Sequence, residues 1–140
     1  MRLRLTLSLL IGLGWMSLNC LSAQANFNVK LIGQVQYPGS EFSDIWGFVG
    51  QDGREYAIIG ATGGTLIYDL SDPANPEELQ FIPGANSIWR DFKSYGSYVY
   101  GIADKGKDGL LIIDMSVAPS SINWTFWNEN IQIKDDQGLI

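Results

Sequence analysis

The chain has 140 residues, which is enough for one domain, and its formal net charge at pH 7 is -6. An acidic chain repels phosphate backbones, so nucleic acid is not expected as a partner. Histidine is absent and Cys20 is the single cysteine, which excludes Ser-His-Asp and Cys-His triads and the usual zinc sites within this chain.

The first 25 residues have the pattern of an export signal. A short basic start precedes an uncharged apolar run over residues 5–18, and the small-x-small sequence Ala-Gln-Ala ends at Ala25. We therefore expect a signal peptide over residues 1–25 with cleavage near Ala25. The mature domain, residues 26–140, is then extracytoplasmic, either secreted or at the cell surface.

Two other fates of this N-terminal segment stay open. In the first it remains attached as a membrane anchor, although the apolar run is shorter than the roughly 20 residues that a span needs. In the second Cys20 carries a lipid, although Asn19 stands where a lipoprotein signal has a small residue.

Beyond residue 25 the pattern is a succession of short apolar strands separated by turns, and no segment has a convincing helical pattern. The Asp52-Gly53 pair predicts a tight hairpin turn, because glycine supplies the positive φ that such a turn needs. Two prolines exclude residues 71–76 from a central strand. In chain order, strands are predicted over residues 27–37, 43–49, 56–60, 65–70, 77–82, 87–93, 97–102, 110–115 and 122–127.

The strands group into two copies of one unit. Four short strands in a period of roughly 40–50 residues are typical of a β-propeller blade, and a plain antiparallel sandwich is the alternative. We place blade one at about residues 43–83 and blade two at about residues 87–127. The alignment of the two units rests on three pairs of residues: Trp46 with Trp89, Tyr56 with Tyr98, and Asp69 with Asp114.

Burial gives the physical reason for the repeat. A four-stranded sheet that is apolar on both faces cannot bury them alone, so sheets of this kind stack on one another. Ile58, Ile59, Ile112 and Ile113 illustrate this, since neighbours in sequence point to opposite faces of a strand. We therefore predict an all-β fold of about two propeller-like, four-stranded antiparallel blades, which form an incomplete propeller.

These motifs also resemble a known family. The sequence LLIIDMS, residues 110–116, looks like the LVIVD repeat of bacterial surface proteins. The ordered run of motifs over residues 43–116 is similar to the choice-of-anchor B family. The resemblance implies an exported β-propeller-like protein, held at the cell surface by one of several interchangeable anchors, and it brings no established catalytic residues.

The end of the chain departs from that family pattern. Family members continue into further blades and often into an anchoring tail, whereas this chain stops at Ile140. We therefore expect a truncated reading frame or a fragment. Membrane contact is expected only through an anchor that this chain does not contain.

A charged loop after the sixth strand of the two units is the candidate metal site. Asp104 and Asp108 resemble a fragment of a calcium loop, but calcium needs six to eight oxygens and the pair would supply only part of them. Lys105 and Lys107 lie between the carboxylates and oppose a cation. A solvated charged hairpin is the alternative, so no cofactor is expected, with calcium as the exception.

Aromatic and arginine side chains supply the candidate ligand face. Trp46, Trp89 and Arg90 are residue types that often anchor binding surfaces, and an extracellular protein or a glycan would be the ligand. The alternative is packing between blades, with Arg90 paired to a carboxylate. Asp69 and Asp114 are expected to accept backbone N–H groups in turns, as Asx turns do.

The sequence thus favours an exported binding or scaffold module without catalytic activity of its own. Two alternatives remain open at this point. One is an extracytoplasmic enzyme that uses carboxylates or calcium on saccharides or phosphoesters, and the other is a fragment without independent function.

Overall fold

The structure is a computed structural model that describes residues 28–129 and the backbone of residues 134–135 and 138–139. The chain divides into two units, residues 1–30 and 31–140, and the sheets described below lie in the second unit. The predicted signal peptide and Cys20 lie outside the described residues. Among the residues that the structure describes, no helix has the length and hydropathy that crossing a membrane requires.

The first half of the second unit forms a four-stranded antiparallel sheet with its strands in sequence order. The predicted turn between the first two strands is present, and Gly53 adopts the positive φ of 83° that it requires. The strands are β1 (Phe42–Val49), β2 (Glu55–Ala61), β3 (Gly64–Asp69) and β4 (Glu77–Pro83).

The second half repeats this arrangement in a separate four-stranded antiparallel sheet, again in sequence order. The all-β prediction is confirmed, because the described residues contain no helix and form two such sheets, as propeller-like blades do. The strands are β5 (Arg90–Tyr95), β6 (Tyr98–Ala103), β7 (Leu110–Asp114) and β8 (Asn123–Trp127). A two-residue pair, β9 (Lys134–Asp135) and β10 (Gly138–Leu139), follows.

The two sheets share one apolar core. Each fully buried side chain in it contributes roughly 1.5–3 kcal/mol relative to an exposed one, so this cluster joins the sheets into one packed body. Its buried members come from both sheets: Phe48, Tyr56, Ile58, Ile67 and Ile82 from the first, and Phe92, Val99, Leu111, Ile113 and Met115 from the second and the turn after it.

A second cluster covers the opposite face of the first sheet. Ala57, Leu66 and Tyr68 are buried there, and Val35 and Tyr37 from the segment before β1 pack against the cluster. The ring of Tyr37 stacks on that of Phe81, with 5.9 Å between the centroids. The first sheet is therefore apolar on both faces, as the repeat argument requires.

The strand predicted over residues 27–37 is wrong, since its described part, residues 28–37, contains no strand. The alternating apolar pattern that suggested a strand instead places Val35 and Tyr37 on the second cluster. At Gly33 an added Cβ would lie 2.3 Å from the carbonyl oxygen of Pro73, so glycine permits this segment to approach the turn after β3 closely.

Strand register corrects one part of the repeat alignment. Tyr56 pairs with Asp69 and Tyr98 pairs with Asp114, which confirms those two equivalences. Trp46, however, pairs with Ile58, and the residue in the same position of the second sheet is Lys93, which pairs with Tyr100. The β1–β2 connection is longer than the β5–β6 connection, so matching the two Ile-Trp pairs misplaced the strand.

Candidate functional site

The two repeated aspartates at the ends of β3 and β7 hold turns. Asp69 Oδ1 accepts the Ser71 N–H at 2.7 Å, and Asp114 Oδ1 accepts the Ser116 N–H at 2.9 Å. The serine hydroxyl and amide lower the pKa of each aspartate below its usual value. The Asx-turn interpretation is confirmed, and both carboxylates serve the same structural purpose in their repeats.

Arg90 lies buried at the start of β5, with 8% of its surface exposed. Its Nε donates to the Ala61 carbonyl at 3.0 Å, and its Nη2 donates to the Ala85 carbonyl. Burial lowers the pKa of Arg90, while the charges of Asp108 and Asp104 oppose that effect. The guanidinium therefore ties the end of β2 to the loop that enters the second sheet.

The two carboxylates of the charged loop are engaged with the same entry loop. Asp108 Oδ2 accepts the Ala85 N–H, and Asp104 Oδ1 lies within hydrogen-bond distance of the Ser87 hydroxyl. Within residues 28–129, no three His, Cys, Asp or Glu side chains are grouped so that they could hold a metal ion. Asp104 and Asp108 thus balance the charge of Arg90 and fix the loop.

Ser87 explains why β5 begins later than the sequence pattern indicated. The predicted strand started at residue 87, but β5 starts at Arg90. The Ser87 hydroxyl accepts the Trp89 N–H at 3.0 Å, which closes a local turn over these residues. The segment before β5 is therefore a loop whose polar groups are satisfied locally.

The three residues of the predicted ligand face are split by the fold. Trp46 is half-buried between the sheets, where its Nε1 donates to Ser94 Oγ at 3.1 Å and the Lys93 ammonium lies 4.7 Å from its ring centre. Trp89, by contrast, is 64% exposed, and Arg90 is buried. Only Trp89 of the three therefore presents most of its side chain to solvent.

Trp89 borders an open groove between the edge strands β1 and β5. The groove has a volume of about 710 Å³, and aromatic and aliphatic side chains share its lining with three carboxylates, those of Glu41, Asp44 and Asp91. Such a surface offers apolar contact together with hydrogen-bond acceptors. Phe42, Ile88 and Trp89 supply the apolar part of this lining.

Sequence reasoning missed the polar contacts that join the two sheets at this groove. Asp44 Oδ2 accepts the Phe92 N–H at 2.9 Å, and Ser43 Oγ accepts the Arg90 N–H at 3.2 Å. Both amides belong to β5, an edge strand whose outward N–H groups need partners. The available signal was a Ser-Asp pair near the start of an otherwise apolar strand.

The model of the LVIVD repeat matches the chain twice, at residues 54–81 and 89–126. The first match spans β2, β3 and most of β4, and the second covers nearly the whole second sheet. No curated protein and no solved structure matches the chain significantly. The LVIVD resemblance is thereby confirmed, and the closer resemblance to the choice-of-anchor B family stays a prediction.

Proposed function

We propose that this chain, a β-propeller-like repeat module with two LVIVD repeats, acts outside the cytoplasm as a binding or scaffold module without catalytic activity of its own. One observation carries the proposal: the four carboxylates that the sequence offered as candidates for chemistry are engaged in holding turns and loops. Asp69 and Asp114 cap turns, and Asp104 and Asp108 fix the loop beside Arg90.

The ligand face in this proposal is the groove between β1 and β5. Trp89 supplies a large exposed ring, and the carboxylates of Asp44 and Asp91 lie at the same groove. Aromatic side chains provide contact area at low entropic cost, and carboxylates accept hydrogen bonds from hydroxyl or amide groups. The chemistry suits a glycan or a loop of an extracellular protein.

Binding to this face is tested by replacing Trp89 with alanine. The purified protein is applied to a glycan array and to immobilised extracellular proteins, and any bound probe is titrated by intrinsic fluorescence. Trp89→Ala should weaken binding of that probe at least roughly tenfold, the size of effect typical of an anchor residue. Trp124→Ala removes a tryptophan that is 39% exposed on β8 and should leave the affinity unchanged. Equal affinity in wild type and Trp89→Ala would contradict this ligand face.

A carboxylate-dependent or calcium-dependent enzyme remains the second candidate function. The observation in its favour is that Asp104 and Asp108 lie on one loop, beside an open groove that Asp108 helps to line. We propose instead that no calcium binds there, since Asp108 accepts the Ala85 N–H and Asp104 lies within hydrogen-bond distance of the Ser87 hydroxyl. Calorimetric titration with calcium should give no heat of binding, and calcium binding that Asp104→Asn and Asp108→Asn abolish would favour the enzyme.

Export is the remaining part of the proposal. The basic start, the apolar run and the Ala-x-Ala site over residues 1–25 support it. After expression with its own leader in a bacterial host, the chain should be recovered outside the cytoplasm with Asn26 at its N-terminus. Intact Met1 on a cytoplasmic product would contradict export, and the choice-of-anchor B relationship would then lose its main functional consequence.

A further inference from the structure

The outer face of the second sheet is the side that points away from the first sheet. By strand register, the residues on this face are equivalent to the residues of the first sheet that pack against the second sheet in the shared core. Tyr98 is 41% exposed, whereas its equivalent Tyr56 in the first sheet is 1% exposed. Tyr100 is half-buried, whereas its equivalent Ile58 is fully buried, and the neighbouring Ile102 is 55% exposed. We define the outer face by the following residues: Tyr98, Tyr100, Ile102, Leu110, Ile112 and Trp127.

A carboxylate lies at the edge of the outer face at the same sequence spacing as the carboxylate at the buried interface, and the register of β1 shifts just before Ile45 whereas that of β5 is regular. Asp44 lies two residues before Trp46, and Asp91 lies two residues before the equivalent Lys93. Asp44 accepts the Phe92 N–H across the internal interface. The Asp91 side chain is 61% exposed and contacts Lys93 at 2.6 Å. Asp91 is therefore placed to accept an N–H from a further sheet that stacks on the outer face.

The complementary donors lie at the other end of the same chain. The Gly50 N–H bonds to the Arg54 carbonyl, and antiparallel ladders alternate bonded with non-bonded pairs. The N–H groups of Ile45 and Gly47 consequently point away from β2, at the free edge of the first sheet. Trp46 and Lys93 are equivalent, so Ile45 in β1 is equivalent to Phe92 in β5. Ile45 therefore occupies the same position as the residue whose N–H bonds to Asp44.

The surface around these donors is open and apolar. The side chains of Ile45 and Val49 are each 63% exposed, and an added Cβ at Gly47 would meet no atom within 4 Å. Both side chains lie toward the edge of a face whose centre Val35 and Tyr37 cover. A partner can therefore approach along β1 while that covering segment stays in place.

We propose that copies of this chain associate head to tail, with the β1 edge of one copy docked on the outer face of the second sheet of the next. Asp91 of one copy accepts the Ile45 N–H of its neighbour, as Asp44 accepts the Phe92 N–H within each chain. The contact joins two different surfaces, so it repeats from copy to copy and gives closed rings or filaments rather than an isolated two-fold dimer.

The test is the mass of the purified protein, recovered after export without its leader and measured by sedimentation and light scattering over a wide concentration range. The wild type should grow in mass with concentration. Asp91→Ala should weaken association at least roughly tenfold, because an ionised acceptor is lost, and Ile102→Glu and Ile45→Glu should weaken it further. Val117→Glu is the matched control, since Val117 is 54% exposed outside both surfaces, and it should associate like the wild type.

Mixing the two glutamate variants separates head-to-tail contact from other arrangements. Ile45→Glu keeps an intact outer face and Ile102→Glu keeps an intact β1 edge, so the mixture should form a one-to-one dimer that does not extend. A wild type that stays monomeric at every concentration would overturn the proposal. Loss of association in Ile102→Glu but not in Ile45→Glu would also overturn it, because the outer face would then bind a different partner surface. Circular dichroism of each variant at low concentration establishes that its fold is intact.

Discussion

Replacing Ile67 or Ile112 with alanine removes the same atoms from equivalent positions of the two sheets. Both residues lie in the central part of their strands. Ile67 pairs with Ile58 and Ile112 pairs with Tyr100, which lie two residues after the equivalent Tyr56 and Tyr98. Ile67 is fully buried between the sheets, with 0% exposure, whereas Ile112 is half-buried on the outer face. The pair therefore isolates the effect of the covering sheet from that of the substitution.

The structure sets the expected difference in unfolding free energy. Ile67→Ala creates a cavity in the shared core and should lower the free energy of unfolding by about 2–5 kcal/mol. Ile112→Ala should lower it by roughly 1 kcal/mol or less, because much of its side chain already faces water. In a domain of this size, each kcal/mol corresponds to roughly 4 °C in melting temperature.

Urea unfolding followed by tryptophan fluorescence measures both values at low protein concentration, where copies do not associate. Equal losses in the two variants would refute the reasoning, since the covering sheet would then make no difference. At concentrations where copies associate, the cost of Ile112→Ala should rise toward that of Ile67→Ala, because a neighbouring copy covers the outer face.

Three further predictions concern single polar groups. The buried Tyr56 hydroxyl has no hydrogen-bond partner among the described residues, so Tyr56→Phe should leave the urea midpoint unchanged or raise it. Tyr68→Phe loses a hydrogen bond to Glu78 and should lower the free energy of unfolding by about 1 kcal/mol. A large loss of stability in Tyr56→Phe would contradict this prediction. Arg90→Met removes the hydrogen bonds that Arg90 donates to two backbone carbonyls, and it should lower the free energy of unfolding by about 1–3 kcal/mol. An unchanged value would show that those bonds add no net stability. The pKa of Asp69 in the folded protein lies below its ordinary value of 3.8, because Ser71 donates hydrogen bonds to the carboxylate. Its contribution to stability is therefore present above pH 3.8 and is lost as the pH falls through the folded pKa. The fall of melting temperature with decreasing pH should be less steep in Asp69→Asn, and an identical pH profile would contradict the role given to Asp69.

Much of the fold was readable from local pattern. Alternating or continuous apolar runs between glycine and proline turns located eight of the strands, because a pleated sheet places neighbouring side chains on opposite faces. The equivalence of Tyr56 with Tyr98 and of Asp69 with Asp114 followed from the repeat itself, and the strand register confirms it. The same reasoning was wrong for the segment before β1. An alternating apolar pattern shows that one side of a segment packs against the protein, but it does not show whether the backbone pairs with a neighbouring strand.

The candidate site was less predictable, because its properties depend on contacts between residues distant in sequence. Trp46 and Trp89 looked equivalent, yet the short β5–β6 turn shifts the register and leaves one half-buried and the other exposed. Arg90 looked like a surface anchor, but carbonyl groups of Ala61 and Ala85 satisfy its guanidinium inside the protein. No local pattern in the sequence encodes which backbone groups will be left for a buried arginine.

The most direct test of the account is the set of through-space methyl contacts measured by nuclear Overhauser spectroscopy on selectively labelled protein. The two sheets share one core, so methyl groups of Ile58, Ile67 and Ile82 should give cross-peaks with aromatic or methyl protons of the second-sheet members of that core, above all Val99 and Ile113. Cross-peaks confined within each sheet would contradict the stacking from which the groove, the buried interface and the outer face all follow.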